Sequence, residues 1–194
     1  MRTALSLLAA STLALSTAVT ASHASTPQSE TNPSASVAPS AASTGIQESE
    51  GELSIDVQRH VGRGDELSGQ LRFAAAAVQY RRAAEIARRE GHLPSWTTWK
   101  LANAYFNGDN LIGAANALDQ LANEAAVVGD LPVQALAIFN SAWLHSKAGH
   151  RTETGTRVAR LERLLRSPYM PIAIRDHLSG LLKTSRELAV GSAG

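Results

Sequence analysis

Residues 51–194 predict an all-α domain of stacked helical hairpins, on three observations. Apolar residues recur in steps of three and four, as in Leu111, Ala114, Ala115, Leu118, Leu121, Ala122 and Ala125, which lines them along one helix face. No window alternates polar residues with β-branched apolar ones, so strands are not expected. The breaks between periodic stretches themselves repeat: Gly91-His92-Leu93-Pro94 returns 38 residues later as Gly129-Asp130-Leu131-Pro132, and Pro168 follows Pro132 by 36.

The segments before the domain differ in kind. Residues 1–24 place Arg2 ahead of an uncharged stretch and close on Ser22-His23-Ala24, the small-residue pattern of a secretory signal cleaved after Ala24. Six Ser and Thr between Ser6 and Thr20 dilute the stretch, so cleavage is expected rather than stable membrane insertion. A periplasmic or secreted location follows. Residues 25–50 hold 17 Ser, Thr, Pro or Ala among 26 positions and no Lys or Arg. Such a segment buries too little apolar surface to offset its ordering entropy, so a disordered linker with a reach of about 25–30 Å is expected.

Charge and cysteine content narrow the function. The chain's 18 Lys and Arg nearly balance 17 Asp and Glu, without the basic excess that nucleic-acid binding needs. Cys is absent, which removes thiol catalysis, disulfides and Cys-ligated metals together. An exported domain must then be stable on its hydrophobic core alone.

Seven helices are expected, over 53–68, 71–90, 95–107, 110–128, 132–148, 153–167 and 170–188. The first carries Gly64-x-x-Leu67 and the second Phe73, Ala76, Tyr80, Ala83 and Ala84. Leu101-Ala102-x-x-Tyr105 marks the third, the series from Leu111 the fourth, and Ala142-x-x-His145 the fifth. Val158, Leu161, Leu164 and Leu165 give the sixth its apolar face. Breaks fall near Gly69, Gly91 to Pro94, Asn107 to Asn110, Gly129 to Pro132, Gly149-His150 and Ser167-Pro168, where Gly, Pro and Asn cluster. The seventh helix is expected to cap the stack. Ile172, Leu178, Leu181 and Leu182 would face inward, and Arg175, Asp176, Lys183, Arg186 and Glu187 outward.

Paired helices, small residues at Gly64, Ala102 and Ala142 opposite Ala76 and Ala114, and bulky Tyr80 and Tyr105 between units resemble the tetratricopeptide repeat (TPR) family. The likeness spans residues 54–168 and is best from Trp96 to Gly129. It departs in a unit nearer 38 than 34 residues, in Trp99 lying one position late, and in Thr154 standing where Ala is usual. The resemblance implies a TPR-like helical-hairpin solenoid of about three repeats. It also implies a concave groove, lined by the first helix of each unit, that binds an extended protein or peptide partner. Carried over residue by residue, the groove positions are Trp96, Trp99, Lys100, Asn103, Phe106 and Asn107, then Phe139, Asn140, Trp143, Ser146 and Lys147. The partner-binding set expected to matter most is Trp96, Trp99, Asn103, Phe106, Phe139, Trp143 and Lys147. Aromatic rings offer contact area, Asn pairs with peptide backbone, and Lys meets carboxylates. Core packing is the competing reading of the Trp residues. Val61, Gly62, Asp65 and Gly69 lack the Lys and Asn with which family members grip a terminal carboxylate, so that activity is not carried over. Stacking of the same Trp residues on a cell-envelope glycan is the alternative reading.

Arg157, Arg160, Arg163 and Arg166 recur every third residue, and Arg81, Arg82, Arg88 and Arg89 crowd another helix. A solvated face is expected of both stripes, with an anionic envelope polymer or lipid headgroup as the other reading. His60, His92, His145, His150 and His177 lack metal-ligand spacing, and Asp56 with His60 reads as a solvated contact. No G-x-S-x-G, P-loop or dinucleotide fingerprint occurs. No catalytic residue, metal or cofactor is therefore expected. An envelope hydrolase using scattered carboxylates is the remaining reading.

Overall fold

A computed structural model of the chain describes residues 53–191, with side chains described as far as Lys183. The expected signal over 1–24 and linker over 25–50 lie outside the described residues. Those described form seven helices and no strand: α1 (Ile55–Gly69), α2 (Phe73–Arg89), α3 (Ser95–Asn107), α4 (Leu111–Val128), α5 (Leu131–Lys147), α6 (Arg151–Leu165) and α7 (Ile172–Gly191).

Three helix starts are capped by side chains. Ser54, Asn110 and Asp130 accept hydrogen bonds from the backbone N–H groups of Val57, Gly113 and Val133, satisfying donors that the first turn leaves open. Pro94 immediately precedes α3, and Pro132 is the second residue of α5, where a missing N–H is tolerated.

The turns α1–α2, α3–α4 and α5–α6 close alike, and α2–α3 does so too at Gly91, where φ is 86° and the N–H groups of Gly91 and His92 donate to the carbonyls of Arg88 and Ala87. Leu71, Asp109 and Gly149 take left-handed φ values of 59°, 59° and 80°. Their N–H groups donate to the carbonyls of Ser68, Phe106 and Ser146, and the next N–H, of Arg72, Asn110 and His150, to those of Leu67, Tyr105 and His145. Each turn thereby satisfies carbonyls that the preceding helix end leaves unpaired. The break expected at Gly69 instead falls at Leu71, because Gly69 remains helical. For the same reason α2 begins at Phe73, two residues later than the periodicity suggests. Helix α6 begins two residues earlier, at Arg151, directly after the Gly149-His150 turn.

Each helix packs mainly on its neighbours in the chain, and α7 packs on α5. Among the described residues, fifteen of the thirty buried apolar ones are Ala, so the helices approach closely. One core cluster joins α1, α2 and α3 through Val57, Val61, Leu67, Ala76, Tyr80 and Leu101. Ala102, Ala114, Ala115, Leu118 and Leu144 form a second. The third gathers Leu121, Val133, Ile138, Leu161, Leu165, Met170 and Leu178. Gly64 is required by the first: a Cβ there would lie 2.5 Å from Cε1 of Tyr80. Inward placement holds for Leu178, Leu181 and Leu182 of α7 but not for Ile172, which is 71% exposed at the helix start. Arg175 also departs from expectation: its Nη2 reaches back to the carbonyls of Ser167 and Met170 and so stitches α7 to the preceding turn.

Candidate functional site

Two cation–aromatic clusters form, one joining α1 and α2 to α3 and the other joining α3 to α5. In the first, Asp65 of α1 accepts hydrogen bonds from the Tyr80 hydroxyl at 2.5 Å and from Lys100 Nζ at 2.8 Å. Lys100 Nζ also lies 5.1 Å from the Trp96 ring centroid and 5.8 Å from that of Tyr80. Burial, and then the hydrogen bond to Asp65, raise the Tyr80 phenol well above its ordinary pKa. In the second cluster, Phe106 of α3 meets Trp143 of α5 with centroids 5.7 Å apart at a 48° tilt. Lys147 Nζ sits 5.1 Å from each of these rings. A cation over an aromatic face contributes about 0.5–1 kcal/mol at such exposed positions.

Asn103 lies between the clusters along α3, three residues from both Lys100 and Phe106, and is exposed. Six residues of helix separate Lys100 from Phe106, a rise of about 9 Å. Of the seven expected binding residues, Phe106, Trp143 and Lys147 come together, and Trp96 joins Lys100 in the neighbouring cluster. Trp99 and Phe139 instead pack on the core cluster of α4 to α7. Trp99 also touches the middle cluster, and its indole N–H is buried without a partner. Tyr80 is expected from its spacing as packing alone, and no pattern in the sequence marks Asp65.

Each Arg stripe is divided: Arg82, Arg89, Arg163 and Arg166 are exposed, as expected of a solvated face, whereas others are held by neighbouring helices. Arg88 pairs with Glu124 of α4 at 2.8 Å. Arg157 donates through Nε and Nη2 to Asp119 of α4, and Arg160 bonds Asn123 at 2.9 Å. A spacing of three spreads side chains around a helix, so Arg157 and Arg160 turn toward α4 whereas Arg163 and Arg166 are not held there. Asp56 pairs with Arg59, not His60, which bonds Gln79 at 2.9 Å.

Asp119 organises a polar cluster within α4, α5 and α6. Ser141 Oγ donates to Asp119 at 2.6 Å, and Arg157 Nε lies 3.0 Å from the same hydroxyl. His145 Nε2 stands 3.8 Å from Asp119, beyond a hydrogen bond, and the ring stacks on His150 with centroids 5.7 Å apart. Burial foremost, then Arg157, lower the His145 pKa, so the imidazole is held neutral. Ser141 is fully buried and gives its proton to a carboxylate rather than to His145, an arrangement without the nucleophile–base contact of acyl transfer. Among the described residues no three His, Asp or Glu side chains gather as a metal site, and no helix is long and apolar enough to cross a membrane.

No protein-family model matches the chain, and no curated protein or solved structure is significantly similar to it.

Proposed function

We propose that the chain is an exported scaffold whose α1–α6 hairpins form a TPR-like solenoid of three units, capped by α7, and that the α1/α3/α5 face binds an extended protein or peptide segment. One observation carries this reading: Trp96 with Lys100, and Phe106 with Trp143 and Lys147, flank the exposed Asn103 on one face. Rings supply contact area, Asn103 supplies a donor and an acceptor for a peptide group, and Lys147 supplies a charge for an acidic side chain. The turn at Leu71, Asp109 and Gly149 recurs at spacings of 38 and 40 residues, as the repeat requires, and the same closure also joins α2 to α3 at Gly91. Export rests on the pattern of residues 1–24, and mass spectrometry of the mature protein should place its N-terminus at Ser25.

A peptide suits this face better than the alternative glycan. Sugar rings stack on open aromatic faces, whereas ammonium groups cover Trp96 and Trp143 at 5.1 Å. Selection of displayed random peptides on the full chain tests the reading. Asn103→Ala/Lys147→Ala changes two exposed side chains and should lose the selected peptides while keeping its circular dichroism. Selected peptides that hold this variant as tightly as the native chain would move the site off this face. Selection of none, with retention of peptidoglycan fragments, would favour the glycan reading.

A further inference from the structure

The two lysines of the proposed binding face stand in different electrostatic states. Lys100 Nζ donates to Oδ1 of Asp65 at 2.8 Å, so its charge is already matched by a carboxylate. The Tyr80 hydroxyl donates to the same oxygen and helps hold that carboxylate in place. Lys147, by contrast, is exposed, and its Nζ rests 5.1 Å from the ring centroids of Phe106 and Trp143. No carboxylate among the described residues pairs with it. An aromatic face attracts a cation but leaves its net charge unmatched.

These two states lie a fixed distance apart. Lys100 and Phe106 both belong to α3, with the exposed Asn103 midway between them. The rise of about 9 Å from one level to the other equals about three residues of extended chain at ~3.3 Å each.

Resting on the peptide reading above, we propose that the face selects a segment with one acidic side chain at Lys147 and an uncharged one at Lys100, three positions away. Asp65 is the residue that enforces the second choice. At Lys147 an incoming carboxylate meets an unmatched cation. At Lys100 the same group would have to share one ammonium with Asp65, and like charges brought together cost affinity. Discrimination therefore comes from repulsion at one level as much as from attraction at the other. Trp96, whose ring lies beside Lys100, offers contact area to an apolar or aromatic side chain there.

Selection of displayed random peptides on the full chain tests this, followed by affinity measurements on a synthetic peptide of the selected consensus. Sequences held by the native chain should share one Asp or Glu, with an uncharged residue three positions from it. Replacing that uncharged residue by Glu in the synthetic peptide should weaken binding about tenfold. Asp65→Asn keeps an acceptor for Tyr80 while removing the charge, and should erase the difference between the two peptides. Lys147→Glu alters an exposed position and should select Lys or Arg where the native chain selects an acid. Two results would overturn the proposal while leaving the peptide face standing. One is a set of peptides lost in Asn103→Ala that share no acidic position, and the other is a doubly acidic peptide held by the native chain as tightly as the consensus one. Selection of no peptide would remove the peptide face itself, and this specificity with it.

Discussion

Two buried contacts set the sensitivity of this domain to single substitutions. Gly64 faces the Tyr80 ring, whose hydroxyl is held by Asp65, so the ring has little freedom to retreat from an added methyl group. Gly64→Ala should therefore destabilise the domain by about 1–3 kcal/mol, although Ala favours helix over Gly by about 1 kcal/mol. Urea unfolding would measure this, and restoration of stability in Gly64→Ala/Tyr80→Leu would localise the clash to the ring. His145 makes the second contact. Its ring is 3% exposed and its pKa is lowered by burial and by Arg157, so below the ordinary pKa of 6.5 the unfolded chain binds a proton that the native ring excludes. Stability should accordingly be full above that pH and fall as pH drops through it, levelling off only below the depressed native value. His145→Leu should flatten the profile between pH 7.5 and 5.5 in urea titrations. An unchanged slope would show that other groups set it.

At the scale of the elements, the four equivalent turns at Leu71, Gly91, Asp109 and Gly149 carry different residues in one conformation. Gly149 adopts its left-handed φ without steric cost, whereas Leu71 adopts φ 59° with a branched side chain that is 75% exposed. Left-handed backbone costs an L-residue about 1–2 kcal/mol, and the extra freedom of Gly in the unfolded chain returns part of that. Leu71→Gly should thus raise stability by about 0.5–1 kcal/mol. Gly149→Leu should lower it by a similar amount or more, both read from urea midpoints at constant slope. This conformation also explains where the helix ends were legible. Gly91, Gly129 and Gly149 advertise their breaks, but nothing in Leu71-Arg72 signals a turn, and nearby Gly69 drew the boundary away from it. Helix existence followed from spacing of three and four, which depends on the chain alone. The partners of Arg88, Arg157 and Arg160 depend on how α4 is rotated against its neighbours, and no local pattern encodes that rotation. The same limit separates Trp143, which meets Phe106 and Lys147, from Trp99, which packs on two core clusters.

Among the described helices, α1 to α6 each pack mainly on their neighbours in the chain, and α7 packs on α5. In such an architecture stability is approximately a sum over neighbours, so removal of a terminal element is felt most strongly beside it. Helix α7 contributes Leu178, fully buried, and the turn before it contributes Met170, 2% exposed. Burying each such side chain stabilises by about 1.5–3 kcal/mol, so a chain ending at Pro168 should lose roughly 3–6 kcal/mol from its C-terminal half. Loss of α7 also uncovers the cluster around Leu161 and Leu165 of α6. Hydrogen exchange should then accelerate most in α6, less in α5 and α4, and least in α1 and α2, whose cluster around Tyr80 shares no buried residue with that of α7. Such a gradient is what a stack of hairpins under a cap requires. Equal acceleration in α1 to α6 would instead mean that the domain opens as one cooperative unit, and the half-alanine core would have to be regarded as that of a helical bundle rather than a solenoid.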